Sequence, residues 1–224
     1  MSTDHDADTQ GFAALVKSET DDAHRAAESS SFMSDLLGGA LPEEAYVGLE
    51  AQSWFIYEAL EAGGRDLADD PVVAPFLDDA LLREERLAQD LEFHLGAGWR
   101  TRIEMLPATA RYVARLRAVA RTWPVGFVAH HYLRYLGDLS GGQIIRTLMT
   151  RTYGYDTDGV RFYIFDAIEK PKRYKDAYRT KMDELDLSAA QKQQFIAEVE
   201  AAFLFNRDMF AELGERFLRA GATV

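Results

Sequence analysis

The 224-residue sequence contains no cysteine. That excludes disulfides, thiolate metal ligands, thiolate-held iron–sulfur clusters and cysteine nucleophiles together. Any metal must be held by His, Asp, Glu or Tyr. Proline is scarce, six in all, so long stretches run without the residue that breaks helices. No apolar run approaches the roughly 18 residues that a membrane span needs. Met1 to Gln10 are polar and acidic rather than signal-like, and the C-terminal end shows no anchor, so a cytoplasmic protein with no membrane association is the expectation. Basic residues are outnumbered, 25 Lys and Arg against 37 Asp and Glu, for a formal net charge of -12. Nucleic-acid binders usually present a basic face, and none is expected as a partner here.

Apolar residues make up 47% of the chain, enough to build a core. The length suits one large domain or two small ones, and no linker, repeat or low-complexity tract divides it. The patterning is helical nearly throughout. Phe12, Leu15, Val16 and Ala23 line one face of a helix over 12–28. A second helix is predicted from Pro42, with Glu43 and Glu44 in its first turn, to the stop signal Gly63-Gly64. Others are predicted over about 78–94, 107–121, 124–153 and 171–185. The last begins at Ser188, where Ser188 and Gln191 can form a capping box, and runs to about Ala220. Only Arg161 to Phe165 looks strand-like, and one short run makes no sheet. The expectation is a single all-α domain over 12–220, preceded by a flexible polar tail over 1–11.

The most informative stretch runs from His130 through Tyr132-Leu133-Arg134-Tyr135-Leu136-Gly137-Asp138-Leu139-Ser140-Gly141-Gly142-Gln143. Three glycines sit inside a helical pattern, where each costs about 1 kcal/mol relative to alanine. Something must offset that. Gly137 and Gly141 are four apart and share a face. A face without Cβ atoms lets a flat object approach the backbone, and lets the helix kink. It also permits close helix–helix packing, and from the residues alone both readings stand. Phosphate cradling fits less well, because such loops follow a strand.

Thr20, His24 and Glu28 share a face of the first helix. Glu28 can accept from one imidazole nitrogen of His24 and leave the other for a metal. Equally, a His and a Glu four apart are an ordinary surface pair. His5 lies in the polar tail and His94 at a helix end, both poor ligand candidates. His130 and His131, being adjacent, cannot face one object and read as packing or surface residues. Against the acidic background, Lys170, Lys172, Arg173, Lys175, Arg179 and Lys181 form a basic cluster. It suits ligand carboxylates or an acidic partner protein, or is simply a solvated helix face. Phe203, Asn206 and Phe210 form a stripe on the last helix that reads as core, with Asn206 in need of a hydrogen-bond partner.

Taken together, these residues resemble the heme oxygenase family over about 12–217, most specifically at Tyr132 to Gln143, which is similar to that family's distal-helix signature almost letter for letter. The lack of an anchor resembles the soluble bacterial members. The resemblance implies a single helical domain with heme sandwiched between the first, proximal helix and a kinked glycine-rich distal helix. It implies His24 as the heme-iron ligand and Glu28 as its hydrogen-bonding partner. Gly137 and Gly141 would lie over the heme, Asp138 would organise distal water, and Arg134 and Tyr57 would complete that network. Lys17, Tyr132, Lys175 and Arg179 would meet the heme propionates; Phe203, Asn206 and Phe210 would form pocket wall and polar support. The implied reaction consumes heme, O2 and electrons from a donor protein (a ferredoxin or a reductase). It yields biliverdin, the alpha isomer by expectation, with carbon monoxide and ferrous iron. The alternative on the same fold is a protein that binds or stores heme without degrading it.

Overall fold

The computed structural model describes residues 11–218. All of the expected tail but Gly11 lies outside the described residues, as do 219 and 220 at the expected end of the last helix. The described chain forms ten α-helices, with 3-10 turns in the longer connections before α5, α6 and α9, and no strand occurs among the described residues. They are α1 (Phe12–Glu19), α2 (Asp21–Glu28), α3 (Ser31–Leu37), α4 (Glu43–Asp66), α5 (Glu84–Leu95), α6 (Pro107–Thr122), α7 (Pro124–Asp138), α8 (Gly142–Tyr153), α9 (Pro171–Asp183) and α10 (Ala189–Leu218).

Local chemistry accounts for most of these boundaries. Pro107, Pro124 and Pro171 each occupy a first helical position, where the missing N–H costs nothing. The capping box at α10 forms as predicted: Ser188 N donates to Gln191 Oε1 at 2.9 Å, and Gln191 N to Ser188 Oγ at 3.3 Å. Gly154 ends α8 in the left-handed region, at φ 75°.

Four expectations are corrected. The helix predicted over 12–28 is two helices, divided at Thr20, whose hydroxyl and backbone N–H both donate to Val16 O, at 2.8 and 3.1 Å. The helix predicted over 78–94 starts only at Glu84. Before it, Asp78 caps a single 3-10 turn, and the buried Glu61 of α4 accepts from Arg83 N at 2.5 Å and Glu84 N at 2.9 Å. Arg161 to Phe165 is no strand; its backbone N–H groups at Arg161 and Phe162 donate to the Asp90 carboxylate at 2.9 and 2.7 Å, closing a 3-10 turn. The helix predicted over 124–153 is interrupted at Leu139–Gly141. α3 was not foreseen; Ser30 caps it by accepting from Met33 N at 3.4 Å.

The core is one large apolar cluster, with a smaller second one of Ala51, Leu91 and Trp99 between α4, α5 and the turn after α5. Its largest fully buried side chains include Tyr46, Tyr57, Tyr112, Tyr135, Phe127 and Phe195. His130 and His131, left between packing and surface by the sequence, are both buried in it. α10 is the spine of the molecule, packing against α2, α3, α6 and α7. No helix among the described residues is long and apolar enough to cross a membrane.

Candidate active site

The glycine stretch divides by environment. A Cβ added at Gly137 would meet nothing within 4 Å, and one at Gly141 only the Gly137 carbonyl oxygen at 3.7 Å. These two positions face open space. Gly142 is different: an added Cβ would lie 2.8 Å from Tyr163 Cδ1, so this glycine serves packing. Both readings of the glycines therefore hold, at different positions. The kink between α7 and α8 is held by Gly141 N donating to Gly137 O at 2.8 Å and by Ser140 Oγ donating to Leu136 O at 2.8 Å.

Beside the open glycine face sits a buried polar network. Tyr57, from α4, donates to Asp138 Oδ2. The Arg134 guanidinium lies 5.0 Å from the Tyr57 ring centroid, and its Nη1 donates to Asn206 Oδ1 at 3.1 Å. Asn206 thus finds the partner its place in an apolar stripe demanded. Burial opposes the charge on Arg134, but Tyr57 and Asp138 hold its pKa above the ordinary value. Burial raises the Asp138 carboxyl, while Arg134 and the Tyr57 hydroxyl pull it down. Burial, then Asp138, push Tyr57 well above the ordinary phenol range. The result is a fixed carboxylate with a donor on one side and a cation behind it.

Sequence reasoning missed Tyr112, whose hydroxyl is buried with no hydrogen-bond partner among the described residues. Its ring stacks on Phe205 at 5.1 Å and lies 5.4 Å from His130, and it is electrostatically coupled to Arg134 and Asp138. Nothing in the local pattern of α6 marks it, since its partners lie on α7 and α10.

On α2, His24 is exposed, and its Nε2 stands 3.1 Å from Glu28 Oε1, leaving the other ring nitrogen for a ligand. The ring rests edge-on against Phe203 at 5.4 Å. The α10 stripe thus touches α2 through Phe203, α7 through Asn206 and α3 through Phe210, which stacks on Phe32 at 6.3 Å. No group of three or more His, Cys, Asp or Glu side chains suited to a metal occurs among the described residues. A single histidine suits a metal that brings its own equatorial donors, as a porphyrin iron does.

Of the basic residues, Lys175 Nζ donates to Ser140 Oγ at 2.7 Å, tying α9 to the kink. Arg179 pairs with Asp176 at 2.9 Å and lowers the pKa of Tyr132, which burial raises. Tyr132 is half-buried, and its ring lies 6.3 Å from Tyr178 of α9. Lys17 is exposed in the last turn of α1, which packs on α9 and is tied to it where Ala13 N donates to Asp183 Oδ1 at 2.8 Å. The predicted residues therefore fall into three sets: one on α2, one around the α7–α8 kink, and a basic group on α1 and α9.

A family model for heme oxygenase matches residues 10–212. The chain belongs to the heme oxygenase family. It is 36% identical to a heme oxygenase of Pyropia yezoensis over 91% of this chain and 86% of that protein. It is 37% identical to heme oxygenase 1 of Pongo abelii over 92% of this chain and 73% of that one. Among solved structures, the heme complex of heme oxygenase-1 from Synechocystis sp. PCC6803 superposes with a TM-score of 0.90 at 33% identity, covering 95% of this chain and 96% of that one. The Leptospira interrogans heme oxygenase gives 0.86 at 32% identity, covering 91% and 100%. The all-α heme oxygenase fold expected from the sequence is the one observed.

Proposed function

We propose that this heme oxygenase holds heme between α2 and the kinked α7–α8 pair, with His24 on the iron. The ring is opened to biliverdin (the alpha isomer), carbon monoxide and ferrous iron. The observation that carries the reading is the open face of Gly137 and Gly141 beside the Tyr57–Asp138–Arg134–Asn206 network. Gly137, which costs helix stability within α7, and Gly141, at the break, both face open space, and a flat ligand laid on the backbone explains the pair.

Bound heme supplies the iron at which O2 is activated and the meso carbon that is oxidised. The protein's contribution is placement and proton supply. Glu28 orients the His24 ring, as carboxylates orient ligating histidines. An imidazole ligand donates less electron density to iron than a thiolate does. Asp138, fixed by Tyr57 and balanced by Arg134, anchors water on the distal side, so protons arrive through water rather than from a strong acid in contact. Lys17, Tyr132, Lys175 and Arg179 pair with the propionates and set the in-plane rotation of the ring, which decides the meso carbon presented. Phe203 and Phe210 wall the cleft.

The reaction needs electrons, and a ferredoxin or a reductase is the proposed donor, in the cytoplasm where such donors are kept reduced. The basic cluster of Lys170, Lys172, Arg173, Lys175, Arg179 and Lys181 suits an acidic donor surface. Donor-supported turnover is expected to fall as ionic strength rises, whereas ascorbate-supported turnover is not; equal salt responses would contradict electrostatic docking.

The activity is tested by adding hemin, then ascorbate or a reductase system in air. Loss of the Soret band with biliverdin formed and carbon monoxide trapped supports the reading. An intact heme spectrum under the same conditions would make the chain a heme carrier instead.

A further inference from the structure

Four tyrosines form a series of neighbours that leads from the glycine face to the protein surface. Tyr57 of α4 is buried beside Asp138, and its ring centroid lies 5.3 Å from that of Tyr135 on α7. The Tyr135 ring lies 4.5 Å from His131. His131 in turn lies 5.8 Å from Tyr178 of α9, with the two rings within 14° of parallel. Tyr178 is buried. Tyr174, one turn away on the same face of α9, is half-buried and electrostatically coupled to it.

Each phenol in the series also faces a group that can take its proton. Tyr57 donates to Asp138, Tyr135 to Glu61 Oε1 at 3.3 Å, and Tyr174 to Asp78 Oδ2 at 2.8 Å. Tyr178 Oη stands 2.8 Å from His131 Nδ1. Burial, then Lys181, lower that histidine's pKa to about 3, so its ring is neutral at pH 7 and Nδ1 can accept. Burial raises the pKa of all four phenols, so each keeps its proton at rest. A phenol that loses an electron becomes a strong acid, and without a base it would hold an unpaired charge in the core. A phenol paired with a base gives up electron and proton together and stays neutral itself. Tyr112 marks the contrast: it is equally buried, but its hydroxyl has no hydrogen-bond partner among the described residues.

We infer that Tyr57, Tyr135, Tyr178 and Tyr174, with His131 between the middle pair, form a redox chain that carries one-electron oxidising equivalents from the heme cleft to the surface. This protective function is separate from ring opening and rests on the cleft proposed above. The oxidant is a hydroperoxide reduced at bound heme; its O–O bond takes two electrons and two protons and yields an alcohol and water. Tyr57 returns one of those electrons to the cleft and passes its proton to Asp138, leaving a phenoxyl radical. Tyr135 then gives an electron to Tyr57, which recovers its proton from Asp138, while the Tyr135 proton moves to Glu61. Tyr178 with His131, then Tyr174 with Asp78, repeat the exchange. At the surface a thiol or ascorbate gives one electron to Tyr174 and releases its own proton to water, and Asp78 returns the phenol proton.

The test begins with hemin added to the full chain, its binding read from the Soret band. The loaded chain is then mixed with cumene hydroperoxide under argon and freeze-quenched for electron paramagnetic resonance. A nitroso spin trap in a parallel sample maps the radical by peptide mass spectrometry. The expected result is a tyrosyl signal, whose splitting collapses in protein grown on ring-deuterated tyrosine, and a trap adduct at Tyr174. Tyr174→Phe should lose the adduct and keep the tyrosyl signal. Tyr135→Phe, which leaves Glu61 its two backbone donors, should bind hemin as the parent does, lose the adduct and bleach its heme faster. A normal Soret band with no tyrosyl signal, or an adduct at Tyr174 that survives Tyr135→Phe, overturns the chain and leaves the cleft standing. Failure to bind hemin overturns both.

Discussion

Asp138 concentrates the chemistry of the proposed site in one side chain. Its carboxyl is raised by burial but held by Tyr57 and Arg134, so it stays in place as an acceptor beside the open glycine face. Asp138→Ala is expected to leave hemin affinity within about threefold and to cut biliverdin formation by tenfold or more, within the range of positioned proton-transfer groups. Normal biliverdin output from the variant would remove Asp138 from the account. The glycines make a sharper pair. Gly137 lies inside a helix, outside the positive-φ region, with nothing near an added Cβ. Gly137→Ala should therefore stabilise the heme-free protein by about 1 kcal/mol, or roughly 2–4 °C in melting temperature, while lowering biliverdin output. Gly142→Ala should do the opposite to stability, because its Cβ would meet the buried Tyr163 ring at 2.8 Å; a loss of about 1–3 kcal/mol is expected. Melts of the two variants check both signs. At this scale the sequence was readable in part: three glycines in a helical run demanded a reason, but only the structure separates the two that face space from the one that is packed.

The elements show why some boundaries were legible and others not. Helix starts marked by a proline or a capping box were readable, since the signal lies in the few residues that form the cap. The start of α5 was not, because its cap is Glu61, more than 20 residues away on α4. The break at Thr20 leaves no local mark, because a threonine whose hydroxyl donates back to the i−4 carbonyl also occurs within continuous helices. Asp90 likewise turns a strand-like run into a 3-10 turn by taking two backbone donors from a distance. His24 carried no local mark at all: an exposed His–Glu pair on a short amphipathic helix is common. It stood out through resemblance, and the structure adds that its ring rests on the same α10 stripe that grips Arg134.

At the scale of the whole molecule, α10 sets the geometry of the proposed cleft, because α2 and α7 both pack on it. One basic cluster on an otherwise acidic chain is the feature on which the proposed pairing with heme propionates and with an acidic donor rests. Stability should also carry a pH signature from the core. His131 is buried, donates or accepts at 2.8 Å with Tyr178 Oη, and has its pKa lowered from 6.5 to about 3 by burial, with Lys181 adding to the shift. The folded protein thus refuses a proton that the unfolded chain takes up below pH 6.5. His131 contributes its full stability above that pH and loses it progressively as the pH falls to about 3. His131→Phe should melt lower at pH 7, because Tyr178 loses its partner, yet lose less stability than the parent between pH 6.5 and 3. Parallel curves for parent and variant would show that His131 titrates normally.

The central claim is that heme lies between α2 and the glycine face of α7–α8, bound through His24. A crystal structure of the hemin-loaded chain tests it most directly. The account predicts iron bonded to His24, the porphyrin against the backbone at Gly137 and Gly141, and the propionates toward Lys17, Tyr132, Lys175 and Arg179. Heme seated away from that face, or iron bound by any residue other than His24, would contradict it.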